Sequence, residues 1–412
     1  MYSFDGFVSS PEKWNWTEVL ARAHAAKIHP LCLCSERHPK PSMVLAKLND
    51  GTVIVKRMPF SGALHAPHCE HYEPPPELSG LGQVNGSAIR VTPETDTTTL
   101  AFDFALSKGR TRAISTDSAE VEHDSVRNDG TKLTLRAALH YLYDQAGLTR
   151  WSPKMVGRRS WAVVRRELLQ AADGKTSKGR ALQTLLFIPE TYSVESALEI
   201  QARRVAALNR LAESASKYML LIAEVKAFEP VRFGYRMVLK HLPDMGLLVN
   251  DELQQRIQKH FANQLALWDQ LAQTHLLMIG TMSMSKQGVH RLESACFMNV
   301  SDAWMPFESV YEHELMARLH RDERRFTRGL RYNLPRAKPL ASVVLQDTGA
   351  VPVAMYTAPA GAAAAYQEAA LQLAEHTGMA SWLWDVSVGA MPELPQRRLG
   401  AMERPLASLR AG

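Results

Sequence analysis

The chain has 412 residues, 46% hydrophobic and 22% charged, with 48 Lys and Arg against 42 Asp and Glu for a formal charge of +6. That is length for two or three ordinary domains and enough apolar content to bury large cores, which excludes wholesale disorder and fibrous or coiled-coil architectures. Apolar runs such as 218–223 fall far short of the roughly 20 residues that span a bilayer, and residues 1–5 carry no basic stretch ahead of an apolar one, so the expectation is a cytoplasmic protein without a membrane partner.

In chain order, residues 13–27 read as a helix that breaks at His29-Pro30. Residues 43–48 and 52–56 alternate or run apolar with β-branched residues. Asn49-Asp50-Gly51 between them is a hairpin signal, because these residue types tolerate positive φ. Pro74-Pro75-Pro76 then closes a first unit, 1–77, since three prolines continue neither helix nor ladder. The ends of the hairpin are punctuated by Cys32-Leu33-Cys34 and by His65 through Cys69. Four cysteines are too few for a disulfide framework. Three thiolates and one imidazole in two close pairs satisfy a tetrahedral zinc ion. The expected ligands are Cys32, Cys34, Cys69 and His65, with His68 open as the alternative fourth ligand and His38 and His71 as competitors. Four protein ligands make a closed, structural site in a zinc-ribbon-like unit.

Residues 78–130 shift toward Gly, Ser, Thr and Asp and read as a connector or irregular β segment. The region 131–216 reads as helical: 133–146 ended by Gly147, 161–172, a third helix or strand over 181–187, and a longer helix over 193–216. Short helices joined by basic turns predict a helix-turn-helix or winged-helix-like unit. The region 217–300 is mixed α/β, with strands over 218–228, 232–241, 275–284 and 294–300 and a helix over 252–273. Cys296 in an apolar strand reads as an inert core thiol. The last region, 301–412, gives a helix over 307–326, strands over 330–333, 341–346 and 352–357, a helix over 362–375 and a strand over 382–386. That αβββαβ order is the core order of the restriction-endonuclease-like fold. The fold class is therefore α+β multidomain.

Charge is clustered. From Arg150 to Arg180 nine cations face Glu167 and Asp173, net +7; from Leu315 to Leu340 eight face Asp322 and Glu323, net +6. Clustering favours phosphate binding, because counterion release rewards many cations on one face. The expected nucleic-acid contacts are Arg150, Lys154, Arg158, Arg159, Arg165 and Arg166 in the first patch, and Arg324, Arg325, Arg328 and Arg331 in the second. Trp161 and Phe326, beside these cations, sit at helical spacing with aliphatic neighbours and read as core anchors.

Enzyme motifs are poor. Gly174-Lys175-Thr176 lacks the first glycine of a P-loop, since position 169 is Leu; His320-Arg321-Asp322 lacks the kinase asparagine; His313-Glu314 lacks the second histidine of a zinc protease. Glu224-Val225-Lys226 is an E-x-K pattern without a second acid on a preceding strand. Glu308, Glu312 and Asp347 are acids in the last region, where Met355 and Thr357 occupy the E-x-K positions of the third strand. The nuclease-like scaffold is thus expected without a complete active site, and whether the chain is an enzyme stays open.

The runs Cys32-Leu33-Cys34, Lys56 to Gly62 through Cys69, Gly329 to Leu334 and Leu345 to Thr348 resemble a bacterial family, domain-of-unknown-function family 1173, over nearly the whole chain. Its members commonly lie beside conjugation and integration genes on mobile elements, which implies DNA or DNA-handling protein partners and supplies no catalytic residues. The first expectation is a non-catalytic nucleic-acid-binding protein of a mobile element with a structural zinc site. The alternatives are a Mg²⁺-dependent DNA nuclease and an assembly protein that meets acidic protein partners.

Overall fold

The computed structural model describes residues 1–398 other than 37, 48–50, 59–60, 93–96, 108–129, 213–216, 233 and 363. The first unit opens with β1 (Tyr2–Phe4) and β2 (Phe7–Ser9), paired antiparallel around Asp5-Gly6, both at positive φ. Then come α1 (Trp16–Ala25), β3 (Leu31–Cys32), which pairs back on β1, and the antiparallel hairpin β4 (Met43–Lys47) with β5 (Val53–Arg57). The expected hairpin is present, although Asn49 and Asp50 of its turn lie outside the described residues; Gly51 adopts φ +87°. α1 packs on this hairpin, and Tyr2, Phe4, Leu20, Met43, Leu45 and Val53 form a small core with Cys32 and Cys69.

The segment 78–130 holds α2 (Leu81–Val84), β6 (Ile89–Thr92) and β7 (Thr97–Leu100), with the remainder from 108 to 129 outside the described residues. Next are α3 (Leu135–Gln145), β8 (Arg150–Trp151), α4 (Trp161–Ala172), β9 (Lys175–Ser177), β10 (Arg180–Ala181), β11 (Leu186–Phe187) and α5 (Ala197–Ala212). The Thr134 side chain accepts a hydrogen bond from the Ala137 N–H, a cap worth about 1 kcal/mol to α3. Gly147 takes the left-handed φ of +67° that ends the same helix. The segment 181–187 is two short strands around a 3-10 turn. β6 and β7 join β9 and β10 in a four-stranded sheet ordered β10-β9-β7-β6.

β12 (Met219–Pro230), β13 (Tyr235–Leu239), β14 (Leu242–Val249), α6 (Asp251–His260), α7 (Ala262–Gln270), β15 (His275–Met284), β16 (His290–Val300) and β17 (Pro306–Phe307) build the largest sheet. Its order is β11-β12-β13-β14-β16-β15, with β17 on β16. β12 also pairs β15, so the hydrogen bonding returns on itself through β13, β14 and β16. Successive strand residues point to opposite faces, and β12 divides accordingly. Leu220 and Ile222 enter one core with Leu139, Trp161, Val164 and Leu168 of the helices, whereas Leu221, Ala223 and Val225 enter a second with Met237, Leu247 and Ile257. Cys296 is buried in the first of these. The single helix expected over 252–273 is two, broken at Phe261, whose ring inserts between both cores.

The last region runs α8 (Val310–Arg321), β18 (Phe326–Arg328), β19 (Val343–Leu345), β20 (Val353–Ala358), α9 (Ala364–His376) and β21 (Ala380–Asp385). The α-β-β-β-α-β order is present, with β18, β19 and β20 antiparallel and β21 parallel to β20 across α9. β8 from the helical region completes the five-stranded order β21-β20-β19-β18-β8. The strand expected over 330–333 is not one. α8 stops at Asp322, Glu323 takes φ +50°, and the first strand forms at 326–328, while Tyr332 sits at φ +48° in an irregular segment. No helix among the described residues is long and apolar enough to cross a membrane.

Candidate metal centre and the arginine clusters

Cys32 closes β3, and Cys34 follows two residues later. His65 and Cys69 flank a short turn that begins after the 3-10 segment Gly62–Leu64 and is tied by the Cys69 N–H to the Ala66 carbonyl. The four ligand atoms, three Sγ and one imidazole nitrogen, all lie within 4.8 Å of one another. Cys32 Sγ is 3.8 Å from Cys69 Sγ, and His65 Nδ1 is 3.5 Å from Cys34 Sγ and 3.7 Å from Cys69 Sγ. Backbone N–H groups point at the sulfurs, Ala66 to Cys34 at 3.4 Å and His71 to Cys69 at 3.5 Å, the outer-shell support that metal thiolates attract. Cys32, His65 and Cys69 are buried. The group is able to hold a metal ion, and His65, not His68, completes it.

The three thiols share their protons unequally. Hydrogen bonds from Cys32 and Cys69 hold the Cys34 thiol well below its ordinary range, while the contact with Cys34 pushes Cys32 up to about 11 and the contacts with Cys32 and Cys34 push Cys69 up. His71 is a neighbour, not a ligand: burial pushes its imidazole down to about 4, and the ring nitrogen Nε2 lies 2.6 Å from the Tyr2 hydroxyl.

The arginines counted in the sequence divide between inside and outside. In the second patch Arg324 is buried and grips Asp347 through Nε and Nη2 at 2.8–3.1 Å. Arg328, fully buried, donates to Glu312 at 2.6 Å and to the Pro306 and Ser342 carbonyls. Arg331 pairs with Glu308 at 3.0 Å. These three arginines, expected against phosphate, are enclosed with carboxylates of their own chain, because a guanidinium in a fold interior persists only when its donors are matched. Arg325 donates to the His68 carbonyl at 2.6 Å.

The first patch is mixed. Arg159 donates to the Leu148 and Ala303 carbonyls and lies over the Trp151 ring. Arg150 donates to Glu73 and to the Glu70 carbonyl, and Arg165 to the Ile188 carbonyl. Arg166 pairs with its neighbour Glu167 on an exposed helix face, and Lys154 and Arg158 are exposed. Trp161 and Phe326 are core residues, as their spacing indicates. The carboxylates considered for catalysis are engaged too: Glu224 by Lys240, His241 and His275, and Asp347 by Arg324 and the Arg325 N–H. Composition alone could not reveal these partners, since each lies 16 or more residues from its mate in the chain.

Fold and centre together define a mixed α/β protein carrying a Cys3His cluster beside an N-terminal hairpin. The chain belongs to the family described as "Protein of unknown function (DUF1173)", whose model matches residues 3–387. No curated protein and no solved structure matches it.

Proposed function

We propose that the protein is a non-catalytic DNA-binding protein of a conjugative or integrative mobile element, that its Cys3His centre holds a structural zinc ion, and that α4 presents the face that meets duplex DNA. The zinc assignment rests on geometry. Zn–S and Zn–N bonds of about 2.3 and 2.05 Å in a regular tetrahedron require sulfurs about 3.8 Å apart and sulfur to nitrogen about 3.6 Å. The distances of 3.8, 3.5 and 3.7 Å fit those edges. Four protein ligands leave no open position for substrate.

The DNA reading is carried by one observation, the exposed stripe of α4. Trp161, Val164, Leu168, Ala171 and Ala172 are buried, which leaves Ala162, Arg166 and Gln170, spaced i, i+4, i+8, facing solvent. Arg and Gln suit the edges of guanine and adenine in the major groove, and a small Ala permits close approach. Lys154 and Arg158 are exposed just before the helix, and Lys178 and Arg180 are exposed in the β9–β10 turn just after it, in the manner of a wing. With Arg324, Arg328 and Arg331 of the second cluster turned inward, the phosphate contacts of this reading are assigned to these residues. A divalent cation would find both the Glu224 and Asp347 carboxylates already matched by protein cations, which supports the non-catalytic reading.

Anisotropy of a labelled DNA duplex titrated with the protein at several salt concentrations tests this. Affinity should fall linearly in log–log form with salt, and Arg166→Ala with Gln170→Ala should weaken it while leaving zinc content unchanged. Absence of binding at low salt, or wild-type affinity in the double variant, would overturn the α4 assignment. Supercoiled plasmid with Mg²⁺ or Mn²⁺ should remain uncut.

A further inference from the structure

α5 is held to the molecule by a narrow stripe. Ile200, Leu208 and Leu211 are buried, the last two in the second core, and Arg204 beside them forks onto Asp244. The outer side of the helix is largely apolar too. Leu198, Ala202, Val205 and Asn209 are exposed at spacings of four, three and four residues, the spacing of a seam along which two helices pair. Leu198 is 82% exposed and Val205 53%, with Val194 ahead of the helix at 76%. A surface helix ordinarily turns polar residues outward, so an apolar stripe on that side marks a face that meets a partner.

The far end of this stripe borders a cavity of about 450 Å³ between α5, β14 and the β15–β16 turn. Val205, Leu208 and Asn209 form its α5 wall, and Met245, Met284 and Val289 line it from the sheet side. That volume takes more than one aliphatic side chain, and two unbranched thioethers can mould to whatever enters. Charge divides along the same helix. Glu195 and Glu199 are exposed at its start, Glu199 remaining 76% exposed although Arg203 lies 3.7 Å away. Lys286 in the β15–β16 turn and Arg291 just after it are exposed beside the cavity. A protruding leucine with an acidic flank thus sits at one end of α5, and a hollow with a basic flank at the other.

We propose that α5 pairs antiparallel with α5 of a second copy of this chain, the Leu198 side chain of each copy seated at the mouth of the other's cavity. The occupant is chosen by complementarity: an identical chain supplies both the aliphatic side chain that the hollow takes and the carboxylates that Lys286 and Arg291 attract. Because knob and hollow lie at opposite ends of one helix, a closed two-fold pair satisfies both only when the helices run antiparallel. Leu198 of one copy then lies level with Val205 of the other, and Ala202 falls near the axis, where a small side chain lets the backbones approach. The helix dipoles oppose, which favours the same direction. Two helices of 16 residues make an interface at the small end of specific ones, so the pair forms reversibly with concentration. The pairing does not depend on the α4 reading above.

Sedimentation equilibrium of the full chain from low to high micromolar concentration tests it. The wild-type mass should rise toward twice that of one chain, whereas Leu198→Glu should sediment as a single chain at every concentration. Because Leu198 is so exposed, that variant should keep the wild-type circular dichroism spectrum and urea midpoint. Direction is read by disulfide cross-linking with copper–phenanthroline, with wild type as the control for the native thiols. Ala202→Cys should give a reducible dimer on a denaturing gel. Leu198→Cys should not, since the two copies of residue 198 would stand roughly 10 Å apart along the helices, beyond the reach of a disulfide. A single-chain mass for wild type throughout, a Leu198→Glu variant that dimerises like wild type, or cross-linking at 198 as efficient as at 202 would each overturn the pairing.

Discussion

His65 is the ligand whose role separates the centre from its neighbours. Its Nδ1 faces the sulfurs and its Nε2 is buried with no hydrogen-bond partner among the described residues, whereas His68 presents its backbone carbonyl to Arg325. Replacing the two histidines in turn should therefore give opposite results. Wild type should copurify with zinc, which Cys34→Ser and His65→Ala should each lose and His68→Ala should retain, with atomic absorption on the purified proteins as the readout. Retained zinc in Cys34→Ser would refute the ligand set. Much of this was legible beforehand. Two close ligand pairs around a hairpin identify the thiols by type and spacing, with His65 expected as the fourth ligand and His68 left open. What spacing could not give is the pair of backbone N–H donors from Ala66 and His71, because they depend on how the turn after Gly62 closes.

At the level of elements, the turn carrying His65 and Cys69 is fastened to the rest of the molecule by arginines. Arg325 holds the His68 carbonyl, Arg150 holds the Glu70 carbonyl and the Glu73 carboxylate, and Arg57 from β5 pairs with the same Glu73. The small core around β1, α1 and the β4–β5 hairpin includes two of the thiols, so an ion held there would add cross-linking where apolar burial is limited. Removing the ion should free the turn. Glu70, with its side chain 72% exposed, should resist a glutamate-specific protease in the zinc-loaded protein and be cut readily after chelation. Equal cleavage in both states would show that the arginines alone fix the turn. This anchoring also explains where sequence reading failed. Arginine density at 150–166 and 324–331 is a correct count, but a helix or strand hides whichever cations find carboxylates or carbonyls, and those partners come from distant segments. The αβββαβ order was readable because alternation and helical period are local. The strand displaced from 330–333 to 326–328 was not, since it depends on pairing with β8 and β19 and on the inward turn of Arg328 and Arg331.

Over the whole molecule, the ion pairs of the last region reinforce a packing in which α8 and β18 already share a core. Arg328 at the end of β18 pairs with Glu312 of α8, Arg331 in the segment after β18 pairs with Glu308 in the turn before α8, and Arg136 of α3 donates to the Tyr332 carbonyl of the same segment. Breaking one partner of the buried Arg328–Glu312 pair costs about 3–5 kcal/mol, because the remaining charge is left without compensation, and the half-exposed Glu308 contributes less. Acid does the same by protonation. Burial by itself would push the Glu308 carboxyl up, but the guanidinium groups of Arg331, Arg328 and Arg136 overrule it and draw the group down to about 2 from an ordinary 4.5. A carboxylate depressed in the folded state contributes stability that is complete above its unfolded value and is lost as pH falls through its folded one. Urea midpoints should therefore decline from about pH 4.5 toward pH 2. Glu308→Gln should be less stable than wild type at pH 7, since Arg331 keeps its charge and loses its mate, but its decline over the acid interval should be shallower. Parallel declines in the two proteins would mean that Glu308 is not linked to folding in this way, and that the acid sensitivity belongs to other carboxylates.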